Sequence, residues 1–329
     1  MTARRTVRVT IESWPLIRPF TISRGTETEV SVVLVTCTAG GFIGRGEATP
    51  YAHYGETPES VAASIEAARP LLEHTDAPSA EGAGLSGAAA NAVDCALLDL
   101  ACKTQGKRIW ELLDVPPPRP LQTAMTIGLD SPSAMAAQAQ DMPPDALVKL
   151  KLGRADGDLD RVAAVRATQP DARLICDANE GWSVEALVGL APRLYALGVE
   201  LIEQPLPAAD DAALTGLSLP VPICADESCH TARDIDRLAT RYDGVNVKLD
   251  KAGGLTGARA LIAAARQREM LVFAGCMLGT SLAMAPGIIA AQNADFVDLD
   301  GPLALKRDRE PSLLYDAGWV SPPAQDLWG

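Results

Sequence analysis

The sequence predicts an α/β protein in which a (β/α)₈ (modified TIM) barrel at residues 119–305 adjoins an α+β capping domain at residues 1–118. Two observations predict this fold. Apolar runs that end in charged residues recur after Lys151 at steps of 26, 26, 23 and 22 residues. One strand, one helix and their loops occupy roughly 25 residues, so eight units need about 200. The amino-terminal part instead alternates like antiparallel strands before becoming helical.

The capping domain opens with a predicted three-stranded meander. Its strands are expected at residues 5–14, 29–38 and 42–47, with AGG as the second turn. The glycines Gly41, Gly44 and Gly46 could suggest a nucleotide-binding loop, but they lie between antiparallel strands and not between a strand and a helix. A hairpin is therefore the better interpretation.

Helices follow the meander, and the rest of the capping domain is predicted from composition. The helices are expected at 58–74, 86–105 and 108–113. A proline cluster at 116–120 is typical of a linker. The stretch RPFTISRGTET, between the first two strands, is the predicted lid loop, and the tail at 306–329 is predicted to pack back on the capping domain and complete it.

The eight barrel strands can each be placed on an apolar run. They are LQTAMTIG, LVKLKLG, LICDANEGW, VELIEQP, VPICADES, GVNVKLD, MLVFAGCM and DFVDLDGP. Side chains two apart on a strand share a face. We therefore expect four pairs to point into the barrel and the leucines between them to face the helices. The pairs are Lys149 with Lys151, Asp177 with Asn179, Lys248 with Asp250, and Asp298 with Asp300, and the leucines are Leu150, Leu249 and Leu299.

Composition restricts the classes of partner. The 329 residues carry a net charge of −13, and no Lys/Arg block appears, which disfavours nucleic acid or an anionic membrane. No run reaches the 18 or so apolar residues of a membrane span, and the amino terminus lacks a signal core. The seven cysteines include no CxxC pair and mostly lie in apolar segments. We expect a soluble, cytoplasmic protein without disulfides.

Three carboxylates end consecutive predicted strands, namely Asp177, Glu203 and Asp226. Active sites form at the carboxyl ends of barrel strands. These oxygens are hard ligands, and the chain has three histidines, so the expected ion is Mg²⁺ and not zinc. The alternative for any one of them is a helix cap or a solvent-facing acid.

Two lysines flank these carboxylates from opposite sides of the barrel. Lys151 ends the second strand and Lys248 the sixth, so a substrate carbon between them could lose a proton on one face and regain it on the other. Removal of a proton next to a carboxylate gives an enediolate, and Lys149 is expected to stabilise its negative charge. The charge of Lys149 is also expected to help lower the pKa of Lys151. Lys251 competes with Lys248, but it lies beyond Asp250 and is placed in the following loop.

The eighth strand carries a further acidic pair, Asp298 and Asp300. They are expected to lie too far round the barrel for the metal site and to bind a cation such as an α-ammonium, with a helix cap as the alternative. Cys276 and Met277 are expected to shape the substrate pocket, and His53 to line the lid. His230 has no partner at metal-ligand spacing.

The motifs KLK, DANEGW, IEQP, ADES, NVKLDKAGG and DLDGP resemble, in this order, the enolase superfamily and within it the dipeptide epimerases of the muconate-lactonizing subgroup. The resemblance implies Lys151 and Lys248 as the acid/base pair and Asp177, Glu203 and Asp226 as ligands of one Mg²⁺. It also implies that Asp298 and Asp300 bind the amino group of a dipeptide.

EATPYAHYGE and VKLDKAGGLT are similar to enzymes of this family that act on L-Ala-D/L-Glu in murein peptide recycling. That likeness places Arg24 at the glutamate side-chain carboxylate, although Arg24 could instead form a surface ion pair. Three alternatives stay open: other dipeptides, a muconate cycloisomerase or o-succinylbenzoate synthase reaction, and a binding protein without catalysis. A homo-oligomer is possible.

Overall fold

The computed structural model describes residues 5–74 and 79–329. The chain begins with an antiparallel sheet of β1 (Thr6–Ile22), β2 (Gly25–Ala39) and β3 (Phe42–Ala48), in that order. The predicted lid loop is wrong in one respect, because it is paired and not open. Ile22 pairs with Gly25 and Phe20 with Glu27, beyond a break in register after Pro15. The segment predicted to be a lid is therefore the tip of the β1–β2 hairpin.

Three helices of the capping domain follow, and the middle one covers the sheet. They are α1 (Pro58–Leu72), α2 (Gly87–Gln105) and α3 (Ile109–Leu112). Gly44 and Gly46 lie in β3, as the hairpin interpretation predicts, and α2 packs directly on them. A Cβ at Gly46 would stand 2.1 Å from the carbonyl oxygen of Ala92. Glycine here permits close packing of a helix on a sheet and has no part in nucleotide binding.

The barrel sheet has eight parallel strands in the described part of the chain, in sequence order around the sheet. After β4 (Leu121–Gln122), which lies outside it, the strands are β5 (Met125–Ile127), β6 (Leu147–Lys151), β7 (Arg173–Asp177), β8 (Val199–Glu203), β9 (Ile223–Ala225), β10 (Gly244–Val247), β11 (Leu271–Ala274) and β12 (Phe296–Val297). The ends of the sheet meet where Ala124 N donates to Val297 O at 2.7 Å. The predicted fold class is confirmed.

Helices follow most of these strands and cover the outside of the sheet, although only the short 3₁₀ helix Asp211–Leu214 lies between β8 and β9. They are α4 (Pro132–Ala139), α5 (Ala155–Thr168), α6 (Val184–Ala196), α7 (Ile235–Leu238), α8 (Leu249–Ala252), α9 (Leu255–Gln267) and α10 (Ser281–Ala290). Leu150, Leu249 and Leu299 belong to the main apolar core and not to the barrel interior, but Leu249 lies in α8, where strand parity does not apply. A separate apolar cluster fills the barrel interior below the strand ends.

The carboxyl-terminal tail contacts both parts of the molecule. Its hairpin, β13 (Tyr315–Asp316) and β14 (Trp319–Val320), pairs with β4. Trp328 is fully buried and donates from Nε1 to the carbonyl oxygen of Cys95 in α2 at 3.0 Å. The predicted boundaries at 118 and 305 remain predictions.

Other properties of the chain can be checked in the described residues. All seven cysteines are free thiols there. Within residues 5–74 and 79–329, no helix combines the length and the apolar character needed to cross a membrane.

Candidate active site

The strand ends of β6 to β10 bring the predicted lysines and carboxylates together. Lys151, Asp177 and Glu203 occupy equivalent positions on three adjacent strands, since Lys151 pairs with Asp177 and Asp177 with Glu203. Asp226 and Lys248 each come one residue after their strands. All five side chains are buried.

Ammonium groups and carboxylates alternate across this site. Lys151 Nζ lies 2.6 Å from Asp177 Oδ2, and Lys248 Nζ lies 2.7 Å from Asp226 Oδ2. Lys149 stands between two carboxylates, 3.3 Å from Asp177 Oδ2 and 2.7 Å from Glu203 Oε2. The two predicted bases therefore bind different members of the carboxylate trio.

Each of the three carboxylates uses its two oxygens differently. We call Asp177 Oδ1, Glu203 Oε1 and Asp226 Oδ1 the outer oxygens, because protein donors away from Lys149, Lys151 and Lys248 bind them. These donors are the backbone N of Asn179 at 2.9 Å, Asn246 Nδ2 at 2.6 Å and Lys251 Nζ at 2.5 Å. The second oxygens, called the inner oxygens, face the three lysines.

The inner oxygens fit a hard cation in chemistry and in number. Glu203 Oε2 is buried and has no hydrogen bond of acceptable geometry, although Lys149 Nζ is close to it. Burial and then the charge of Asp177 raise the pKa of Glu203 to about 8, so a cation at this site would lower the cost of charging Glu203. In the described residues, no group of three or more His, Cys, Asp and Glu side chains is arranged to hold a metal ion. The lysine ammonium groups lie against the inner oxygens instead.

The carboxylates around Lys248 determine its pKa. A working base needs a lowered pKa, and burial alone would lower that of Lys248. The carboxylates of Asp226 and Glu203 outweigh burial and raise it. The pKa of Lys149 is likewise raised, against burial, by Asp298, Glu203 and Asp177. Lys149 is therefore a fixed ammonium.

The expectation that Lys248 and Asp250 point into the barrel together is wrong. The strand ends at Val247, and the chain turns at once into α8, so the alternation of a strand no longer applies. Asp250 Oδ1 instead accepts from Thr49 N at 2.9 Å and Asn91 Nδ2 at 3.0 Å, both in the capping domain. Lys251 also lies in α8 and not in a loop.

The acidic pair of the eighth strand is connected to the trio. Asp298 Oδ2 lies 2.8 Å from Lys149 Nζ, so this one ammonium joins Asp298 to Glu203. Asp300 Oδ2 accepts from Thr126 N at 2.7 Å. Burial and then the charge of Asp298 raise the pKa of Asp300 to about 7.

The hairpin tip closes over a cavity of about 650 Å³ that contains these groups. Its lining includes Cys276, Met277 and Asp298, together with His53. His53 Nε2 lies 2.8 Å from Glu180 Oε2. The volume is within the usual range for small-molecule sites, about 300–1,000 Å³.

Arg24 lines the same cavity, and acidic groups surround its guanidinium. Nη2 lies 2.5 Å from Glu227 Oε1 and 2.9 Å from the Tyr51 hydroxyl. Nη1 lies 3.1 Å from Glu180 Oε2 and 2.8 Å from Asn179 O. Arg24 is therefore in ion pairs, as the surface alternative held, but those pairs lie at the mouth of the site.

The sequence interpretation missed some residues of the site. Asn246 lies on β10, two residues before Lys248, so strand parity could have predicted that it faces the same side as Lys248. Glu227, next to Asp226, is almost fully buried, and its Oε2 has no hydrogen-bond partner. Thr126 on β5 donates from its backbone N to Asp300, and no charged neighbour in the sequence indicated this contact.

The chain matches two known family models along most of its length. Residues 4–114 match the family model described as mandelate racemase / muconate lactonizing enzyme, N-terminal domain, and residues 134–324 match the model described as enolase C-terminal domain-like. The L-Ala-D/L-Glu epimerase of Escherichia coli (strain K12) is 44% identical over 319 residues, covering 95% of this chain and 98% of the relative.

Two further relatives differ in what their names describe. The N-acetyl-D-glutamate racemase of Pseudoalteromonas sp is 40% identical over 303 residues, covering 91% of this chain and 95% of the relative. A crystal structure from Agrobacterium tumefaciens superposes with a TM-score of 0.96 at 46% identity, covering 99% of this chain and 100% of the other. It is described as an enolase family member with homology to dipeptide epimerases, with bound sodium and L-Ala-L-Glu.

Proposed function

Because the chain belongs to the enolase superfamily, in the mandelate racemase and muconate lactonizing enzyme family, we propose that it epimerises L-Ala-D-Glu to L-Ala-L-Glu. The observation that carries the proposal is the placement of Lys151 and Lys248. They come from strands four apart in an eight-stranded barrel, and each contacts a different carboxylate of the trio.

The proposed reaction is a 1,1-proton transfer at the α-carbon of the glutamate residue. One lysine, as the free amine, removes the α-proton, and the electron pair of the C–H bond moves into the adjacent carboxylate to give an enediolate. The ammonium of the opposite lysine then delivers a proton to the other face and becomes the amine. Lys149, with its raised pKa, stays charged and stabilises the enediolate.

Asp177, Glu203 and Asp226 would hold one Mg²⁺ through their inner oxygens. The bound ion would stabilise negative charge on the substrate carboxylate and cancel part of the carboxylate charge around the two lysines. The support for this assignment is the buried inner oxygen of Glu203, which lacks a hydrogen bond, and the raised pKa of Glu203, to which burial and then the charge of Asp177 contribute.

Asp298 and Asp300 would bind the ammonium of the dipeptide. Lys149 Nζ already contacts Asp298 as well as Glu203 and Asp177, so Asp300 would supply the main negative charge for a substrate cation. Arg24 would bind the side-chain carboxylate of glutamate. Its ion pairs with Glu180 and Glu227 must rearrange for that, because both its terminal nitrogens already donate to acceptors. We further propose that the protein acts in the cytoplasm in murein peptide recycling.

A racemase of N-acylated glutamate is the second candidate, since one relative has that name. Such a substrate has no ammonium and makes no use of an acidic pair. The carboxylate of Asp300 therefore favours the dipeptide. It disfavours muconate and succinylbenzoate for the same reason, because neither has an ammonium group.

Proton NMR in D₂O tests the proposal. The enzyme is supplied with Mg²⁺ and L-Ala-D-Glu, and the glutamate α-proton signal is followed in time. We expect that signal to disappear while L-Ala-L-Glu accumulates. N-acetyl-D-glutamate and an L-Ala dipeptide with an apolar second residue serve as parallel substrates. Faster turnover of either would replace L-Ala-D-Glu as the substrate, and no exchange in any would contradict the proton-transfer chemistry.

A further inference from the structure

The outer oxygens of Glu203 and Asp226 are bound by two residues that take no part in the proposed proton transfer, Asn246 and Lys251. Both side chains are buried. Asn246 lies on β10, two residues before Lys248, and Lys251 lies on α8, three residues after it. The same short stretch of chain therefore supplies a proposed base and the donors that hold two proposed metal ligands.

Lys251 has no remaining capacity for other partners. Its Nζ donates to Asp226 Oδ1 at 2.5 Å, to the carbonyl oxygen of Asp226 at 2.5 Å and to that of Asn246 at 3.1 Å. An ammonium has three N–H donors, and all three are used here. The side chain is fully buried. Lys251 is thus a fixed donor, which excludes it as the rival base that its sequence position allowed.

Asn246 holds Glu203 in the same manner. Its Nδ2 donates to Glu203 Oε1 at 2.6 Å, and its backbone oxygen accepts from Lys251. Gly275, one residue after β11, makes room for the amide, since a Cβ there would stand 2.4 Å from Asn246 Oδ1. The two donors are joined through this backbone oxygen and act on neighbouring carboxylates.

We propose that Lys251 and Asn246 are positioning residues that hold the outer oxygens of Asp226 and Glu203, so that each carboxylate offers a single oxygen to Mg²⁺. The inference rests on the metal ligands assigned under the proposed function. Mg²⁺ requires near-octahedral geometry, whereas Ca²⁺ accepts carboxylates that bind through both oxygens. A carboxylate with one oxygen tied back therefore favours Mg²⁺ over Ca²⁺.

Lys251 has two opposite effects on Mg²⁺ binding, and their balance decides whether its replacement weakens or tightens that binding. The ammonium charge repels a cation, so its removal alone would tighten Mg²⁺ binding. Its hydrogen bonds hold Asp226, so their removal would weaken binding. Loss of a residue that orients a metal ligand typically costs about 10- to 100-fold in affinity, and we expect this loss to exceed the relief of repulsion.

The experiment is calorimetric titration of the full-length protein with Mg²⁺ and, separately, with Ca²⁺. The variants are Lys251→Met, which keeps the length of the side chain without its charge, and Asn246→Ala. Lys107→Met on the exposed surface is the matched control. We expect the Mg²⁺ Kd of Lys251→Met to rise about 10- to 100-fold, the Ca²⁺ Kd to rise less, and the control to match wild type.

An Mg²⁺ Kd for Lys251→Met that is unchanged or tighter would overturn the inference. Equal losses for Mg²⁺ and Ca²⁺ would also overturn it, because general damage to the site does not discriminate between ions. If Lys251→Met fails to fold, Asn246→Ala carries the same test on Glu203 without removing a charge. No substrate is needed, so failure to epimerise L-Ala-D-Glu would leave these outcomes intact.

Discussion

The interior of the barrel has two layers that differ completely in character although the same strands build them. The lower layer is apolar and includes Leu147, Ile175, Leu201, Cys224, Phe273 and Phe296. Two residues further along the chain from all of these except Phe273 stand Lys149, Asp177, Glu203, Asp226 and Asp298. Lys151 and Lys248 belong to the same upper layer, because they contact Asp177 and Asp226. One step of strand alternation therefore separates a dry floor from a layer of charges.

The difference explains how the charges can act on one another. An apolar floor excludes water from below, and interactions between charges strengthen as the effective dielectric falls. The two layers also touch directly, because Lys149 Nζ lies 5.0 Å from the centre of the Phe273 ring. The lower layer should thus contribute stability, and the upper layer chemistry.

The sharpest test of the upper layer is removal of each proposed base. Lys151→Ala and Lys248→Ala should each lower kcat for epimerisation by about 10³-fold or more, in line with the loss of a general acid or base. Steady-state kinetics with L-Ala-D-Glu measures this effect, with Lys107→Ala as the surface control. A loss below about tenfold would remove that lysine from the mechanism.

The lower layer should respond in the opposite way. Leu201→Ala leaves a cavity in the floor and should reduce the free energy of unfolding by about 2–5 kcal/mol. The kcat of the folded variant should change little, because no charged group moves. Chemical denaturation and kinetics on the same preparation check both values. A large fall in kcat without a loss of stability would show that the two layers are not separate in function.

Arg24 lies above both layers, at the lid, and should affect binding more than chemistry. A hydrogen bond to a charged group contributes about 1.5–3 kcal/mol, so Arg24→Ala should raise KM for L-Ala-D-Glu about 10- to 100-fold. A dipeptide with an apolar second residue should be nearly unaffected. An equal rise in KM for both substrates would indicate that Arg24 supports the hairpin tip and does not bind the glutamate side chain.

The smallest expected effect is a pH dependence from Asp300. With its pKa raised to about 7, Asp300 gains its charge as pH rises through neutrality, so KM for a dipeptide with a free amino group should fall by less than about tenfold between pH 6 and 8. Asp300→Asn should abolish this change. For stability, the contribution of the protonated carboxyl is complete below the unfolded pKa and is lost as pH rises through about 7.

Strand alternation predicted much of this molecule, and its failures have physical causes. It placed Lys149, Lys151 and Asp177 correctly because each strand continues through them. It failed at Asp250 because β10 ends before Lys248 and a helix begins there. The partners of Arg24 could not be predicted, since Glu180 and Glu227 meet it only when the hairpin tip folds over the barrel.

The central claim is that two lysines act on opposite faces of one carbon. Its most direct test is α-proton exchange in D₂O, measured by NMR with each isomer, L-Ala-D-Glu and L-Ala-L-Glu, for Lys151→Ala and Lys248→Ala. We expect each variant to exchange only one isomer, and the two variants to exchange different ones. Exchange of both isomers by one variant, or of the same isomer by both, would contradict the two-base account.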